Sequence, residues 1–321
     1  MASFAAVMAT GIVSVAAGQE AQSGVATVLS WLAAATFCAL TALHATRAAL
    51  HPRVALAELG HPSTAFDAGS AVAALAVTGV ALASRLSTTA VLTIWLCQVA
   101  LWLATISVAI RALRRHRHAG LVHVSSGRWL LAVVATESVA VLAPAAGGGA
   151  QHEAIAVAAG ACWAAGLAAY PVLVVVIVTR LRRRGWRAVD LTPDHWILMG
   201  ALAICTLSAT RLLAMKADAG LHNSLAVAAM ATWAGASVLY AVLAAASARR
   251  WMVSTATRAY DTRWWASVFP LGMYSACSFA LSAVLPSGAL HGLAMATFWV
   301  ALTAWLLVSL LSVAAIARTS P

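Results

Sequence analysis

At 321 residues, 63% of them apolar and only 9% charged, with a mean hydropathy of +0.89, the chain lies far from the composition of a soluble globule. Such proteins run about 45–50% apolar and about 25% charged, so the composition belongs to the membrane class. The net charge of +11 does not point to nucleic acid: the basic residues sit in short clusters between apolar runs, where anionic headgroups and topology account for them.

Crossing a bilayer takes ~20 mostly apolar residues at 1.5 Å of rise each. In chain order such spans are expected at 3–18, 25–47, 66–84, 88–110, 128–146, 154–179, 195–215, 221–248, 264–284 and 289–316. The first, third and fifth are Ala-rich and only weakly hydrophobic. The N-terminus has no basic segment and no obvious cleavage site, so its first apolar run reads as a retained, short helix. Little chain is left for any soluble part, and residues 1–321 read as a single domain. The outer turns are short: Gly18–Gly24, Arg85–Ser87, Gly147–Glu153, Lys216–Gly220 and Pro286–Gly288.

The basic residues test this map. All but three of the 20 Lys and Arg fall after even-numbered spans; the exceptions are Arg85, Arg211 and Lys216. That asymmetry is the positive-inside rule applied to an even number of helices, which puts both termini in the cytoplasm of a cell (inner or plasma) membrane protein. It also exposes a repeat: five out-and-back hairpins, each about 60 residues long and all of one orientation. The fold expected is all-α integral membrane, ten transmembrane helices as five helical hairpins in a pseudo-five-fold ring around a central pore. Odd spans hold most of the unusual residues, namely Thr10, Gly11, Asp67, Gly69, Glu137, Gly200, Arg211, Pro270 and Gly272, so the odd helices are expected to line the path. Trp129, Trp186, Trp196, Trp251, Trp264 and Trp265 lie at expected cytoplasmic ends as an aromatic belt, while Trp95, Trp102, Trp163 and Trp233 read as packing.

Several motifs weigh against an enzyme. Asp190 and Asp194 form a DxxxD, but Thr192-Pro193-Asp194 reads better as an N-cap, a first-position Pro and an acid at the helix dipole, with no second acidic cluster for a metal. His152-Glu153 is not an HExxH, since position 156 is Ala156, and the loop histidines (His51, His61, His116, His118, His123) share no ligand spacing. No nucleophile motif is present, and the five cysteines (Cys38, Cys97, Cys162, Cys205, Cys277) read as small buried hydrophobes. No metal or other cofactor is therefore expected.

Three features speak for a path. Glu137 sits among Val133, Val134, Val139 and Val141, where an unpaired carboxylate is expensive; it is either a proton or selectivity site, or a carboxyl paired between helices. Arg211, near the outer end of the seventh span, either draws anions into a vestibule, reaches to the headgroups, or pairs with Asp218. Within the ninth span, Phe269-Pro270-Leu271-Gly272 combines a kink, a close approach and a ring bulky enough to plug a narrow path.

Two stretches resemble a known family. FAAVMATGIVSVA (Phe4–Ala16) and WWASVFPLGMYSACSF (Trp264–Phe279) are similar to the tellurite-resistance/dicarboxylate transporter family of bacterial TehA proteins, fungal malate permeases and sulfite pumps, and plant slow-type anion channels. WILMGALAICTLSATRLL (Trp196–Leu213) fits that family's seventh helix more loosely. The resemblance implies a homotrimer with one pore per protomer, five inner odd-numbered helices around it, and Phe269 as the occluding ring. Thr10 and Gly11 match the MGTG-like motif of the first helix, in which Ala9 replaces the first Gly. Glu137 in an inner helix repels an anion in a low-dielectric pore, and most inner helices lack a central proline; both departures favour a proton-linked carrier.

The combined reading is a transporter or channel for small inorganic or carboxylate anions, possessed of a Phe269 gate and a Pro270 kink. Membrane lipids are its surroundings, protons its candidate co-substrate, and nucleic acid no partner. The rivals are efflux of a toxic oxyanion such as tellurite or sulfite, a membrane-embedded lipid-modifying enzyme, and a scaffold or sensor without transport.

Overall fold

The computed structural model describes residues 4–115, 126–147, 152–183, 192–215, 219–253 and 260–319, which form helices joined by short turns, with no strand among them. We label the main helices α1 (Phe4–Gln19), α2 (Ser23–Leu50), α3 (Gly69–Leu82), α4 (Thr88–Arg115), α5 (Leu131–Ala146), α6 (His152–Arg183), α7 (Ile197–Leu213), α8 (Ala219–Val253), α9 (Trp265–Val284) and α10 (Gly288–Thr319). Two short helices, Pro52–Gly60 and Pro62–Ala65, link α2 to α3. Among the described residues nine helical segments are long and apolar enough to span a bilayer, while α1 is a shorter apolar helix of 16 residues.

Burial divides the helices into two sets. In the spans that contain α3, α5, α7 and α9, 67–83% of the most apolar stretch is buried; for α2, α4, α6, α8 and α10 the share is 17–22%. Short α1 belongs with the first set, since Val7 to Ala17 are all buried. The large exposed apolar side chains, apart from Val54 and Leu56 of a linking helix, lie on the five even helices, as lipid-facing surface requires. Cys38 and Cys97 share that exposed surface, contrary to the expectation of burial, whereas Cys162, Cys205 and Cys277 are interior; all five are free.

The inner helices meet in a closed order: α1 packs on α3, α3 on α5, α5 on α7, α7 on α9, and α9 back on α1. A glycine sits at each of these seams. A Cβ on Gly11 would meet the Val77 side chain at 2.7 Å, one on Gly200 the Pro270 ring at 2.9 Å, and one on Gly272 Ile12 at 2.8 Å. At the other two seams the obstacle is backbone: the Leu131 carbonyl at 2.7 Å for Gly69, and the Asp194 carbonyl for Gly127. Within a bilayer, where apolar burial does not drive helices together, such small residues let backbones approach and supply the packing.

Each outer helix also bonds to the inner helix of the next hairpin. Arg85, just after α3, donates to Thr27 of α2 (2.5 Å); Trp95 of α4 donates to the Val139 carbonyl of α5 (3.0 Å). Tyr170 of α6 donates to the Leu198 carbonyl of α7, Trp233 of α8 to Ser278 of α9, and Trp305 of α10 to Thr10 of α1. The deep tryptophans Trp95, Trp102 and Trp233 thus do more than fill space; Trp102 donates to Thr136 of α5. Of the expected belt, Trp251 is exposed, but Trp129 and Trp265 are buried, Trp129 stacked on Phe66 at 4.9 Å. Trp186 lies outside the described residues.

Candidate functional site

Four inner helices begin in a 3-10 turn, and these turns touch in sequence: Phe66–Ala68, Gly127–Leu130, Pro193–Trp196 and Thr262–Trp264. Such tight turns are common at helix starts. Thr192 stands at the N-cap position with Pro193 in the first turn, as the sequence suggests, but the Thr192 hydroxyl bonds His195 Nδ1 (3.2 Å) rather than capping backbone. Asp194 is not a solvated first-turn acid. It is buried and faces Arg128 of the neighbouring turn, Arg128 Nε to Asp194 Oδ2 being 3.9 Å. Arg128 Nη1 also bonds Asp67 Oδ2 at 2.7 Å. Asp190, the other member of the DxxxD, lies outside the described residues. Among those described, no group of three or more His, Cys, Asp or Glu could hold a metal.

These turns ring a cavity of about 50 Å³ to which all five inner helices contribute: Met8 from α1, Ser70 from α3, Leu131 from α5, Ile197 from α7 and Phe269 from α9, with Asp67, Arg128, Asp194 and Arg263 at its rim. Phe269 is 2% exposed and turned toward this cavity, so the expected occluding ring lies where the five helices converge. Pro270 lies inside α9 with its ring against Gly200, so the α9 proline and the α7 glycine form one contact.

At the opposite end a larger cleft of about 590 Å³ opens between the ends of α1, α7 and α9 and the start of α8. Gln19, Thr210, Arg211, His222 and Phe279 line it. Arg211 has no carboxylate partner among the described residues, and its Nε is buried without a hydrogen bond. Asp218, its expected alternative partner, lies outside the described residues.

Two expected path residues point elsewhere. The Thr10 hydroxyl donates to the Ala6 carbonyl (2.8 Å) and accepts from Trp305 (2.9 Å), so it faces outer helix α10. Glu137 is fully buried but lines neither mouth: Cys205 of α7 donates to its Oε1 at 3.3 Å, and Gly166 of α6 leaves the room its carboxyl fills. Oε2 has no partner among the described residues. The physical reason is room: α5 is buried along most of its length, and the missing side chain at Gly166 leaves space for the carboxyl. Gly11, Gly200 and Gly272 spend their small size on the seams described above.

Sequence reasoning named Asp67 and Asp194 separately and missed their union through Arg128. A signal was present: Asp67, Arg128, Asp194 and Arg263 each occupy the second position of the turn that opens an odd helix. Laying the repeats over one another brings them together.

Residues 1–313 match the sequence profile of the voltage-dependent anion channel family, and the chain belongs to that family. This agrees with the kinship suggested by the first and ninth helices. Among curated relatives, an uncharacterized membrane protein of Mycobacterium tuberculosis, from strains CDC 1551 / Oshkosh and ATCC 25618 / H37Rv, is 33% identical over 134 residues, 40% of this chain and 68% of the relative.

Proposed function

We propose that this member of the voltage-dependent anion channel family moves small anions, mono- or dicarboxylates among them, along the axis of its inner helices, with Phe269 as the gate. The observation that carries the reading is the cavity to which all five inner helices contribute and toward which Phe269 is turned. In this reading all ten helices cross the bilayer, α1 included, as five hairpins in a pseudo-five-fold ring. The closed order of inner-helix contacts and the lipid-type surface of the even helices support that arrangement. The Arg-rich ends face the cytoplasm with both termini, the assembly is a homotrimer with one path per protomer, and an ion gradient supplies the driving force.

Each candidate residue has a part. The Pro270–Gly200 contact fixes where α9 bends and so where the Phe269 ring sits. Gly11, Gly69, Gly127, Gly200 and Gly272 bring the inner helices close enough to leave a narrow path. Arg211, with no carboxylate partner among the described residues, raises the local concentration of anions at the wider cleft. Thr10 anchors α1 to α10. Glu137 serves proton linkage through packing: a proton gained or lost between α5, α6 and α7 alters how those helices seat, without placing charge in the path.

The test is anion flux in proteoliposomes at two pH values, with chloride, succinate, sulfite and tellurite as separate probes. Flux of chloride or succinate above protein-free vesicles, with a pH dependence that disappears in Glu137→Gln, is the expected result. Transport of tellurite or sulfite alone would replace the carboxylate reading with oxyanion efflux. No flux of any probe by folded protein would contradict the pore.

A further inference from the structure

Charge alternates around the narrow mouth. Asp67, Arg128, Asp194 and Arg263 stand at equivalent points of four successive repeats and read minus, plus, minus, plus. The helix starts beneath them present partial positive charge to the same spot, which favours an anion there. In this structure that anion is internal. The two arginines differ in how they are held. Arg263 is neutralised two residues away, Nε and Nη2 reaching Asp261 Oδ2 at 2.8 and 2.5 Å. Arg128 instead bridges two other helix starts, bonding Asp67 at 2.7 Å and standing 3.9 Å from Asp194. The network is incomplete: Asp67 Oδ1 and Arg128 Nε are buried with no hydrogen-bond partner among the described residues. Groups left so are costly and lend themselves to exchange of partners. The cavity beneath, about 50 Å³, has room for a few waters.

We propose that this collar is an anion-docking site held shut by its own carboxylates: Asp67 and Asp194 occupy, around Arg128, the place that an entering anion takes. The anion enters by displacing Asp67 from the guanidinium. A carboxylate or small inorganic anion is the ligand class, because the group displaced is itself a carboxylate and a guanidinium fork accepts the same geometry from either. The inference rests on the pore reading and adds the step that precedes the Phe269 gate.

The experiment uses proteoliposomes carrying Phe269→Ala, with chloride or succinate supplied at the Arg-rich face and the half-saturating concentration measured. Adding Asp67→Asn removes the competing carboxylate and is expected to lower that concentration roughly three- to tenfold; Arg128→Gln raises it. An unchanged or higher value in Asp67→Asn overturns the proposal. Asp194→Asn provides a second variant if Asp67→Asn fails to fold: it shifts the value in the same direction by a smaller factor, and no shift there is equally fatal. A readout without transport separates this inference from the pore. Chloride and succinate should raise the thermal unfolding temperature of purified Asp67→Asn more than that of wild type, and lose this effect when Arg128→Gln is added. That stabilisation without flux in any variant would sink the pore and leave the docking site standing; flux with no effect of Asp67→Asn on either readout would sink the docking site alone.

Discussion

The two ends of the inner helices hold the same kind of residue in opposite circumstances. At the Arg-rich end, Arg128 sits between two buried carboxylates above a cavity of about 50 Å³ that Phe269 helps to line. At the other end, Arg211 borders a cleft of about 590 Å³ and has no carboxylate partner among the described residues. A guanidinium paired inside the protein is part of the architecture, whereas an unpaired one is an electrostatic lure for whatever anion diffuses past. In the proposed reading, this contrast belongs to a path open to one side and closed to the other.

Mutations sharpen it, beginning with the largest effect. Arg128→Gln strips two buried carboxylates of their counter-charge and is expected to cost about 2–4 kcal/mol of stability, read by thermal unfolding in detergent. Next, Gly127→Ala places a methyl group against the Asp194 carbonyl within the collar; overpacking of this kind costs about 1–3 kcal/mol. Gly160→Ala, whose new methyl meets nothing within 4 Å, should leave unfolding unchanged. At the open end the expectation reverses. Arg211→Gln removes a guanidinium whose buried Nε has no hydrogen bond among the described residues, so it should not lower stability, yet it should slow anion entry from that side several-fold; a large loss of stability instead would mean that the guanidinium is structural. On flux amplitude the smallest effect belongs to Glu137→Gln, which keeps the shape of a carboxyl that lines neither mouth. It should cost less than about 1 kcal/mol, leave flux amplitude intact and remove only its pH dependence.

Much of the architecture was legible because its causes are one-dimensional. Hydropathy marks the helices, nine of which are long and apolar enough to span a bilayer among the described residues, while the basic clusters after even spans carry the expected orientation. The identity of the inner set also follows, since polar and small residues concentrate in odd spans. Phe269 drew notice through its neighbours Pro270 and Gly272, and the structure buries it beside the narrow cavity. What stayed hidden depends on rotation about a helix axis. A buried glutamate in an inner helix could face the path or a neighbour, and only Gly166, on a different helix, provides the room that turns Glu137 away from both mouths. The partner of Thr10 stayed hidden for the same reason, Trp305 lying 295 residues away. The Asp67–Arg128–Asp194 union spans three hairpins: Asp67 reads as an unusual odd-span residue, Arg128 as one of a basic cluster and Asp194 as a helix-start acid, with nothing local to join them.

The most direct test of the central claim is chloride and succinate flux through reconstituted wild type and Phe269→Ala, with folding confirmed for both. Removal of the ring should raise flux at least about tenfold, equivalent to ~1.4 kcal/mol less barrier. Equal flux through the two folded proteins would contradict an axial path closed by Phe269.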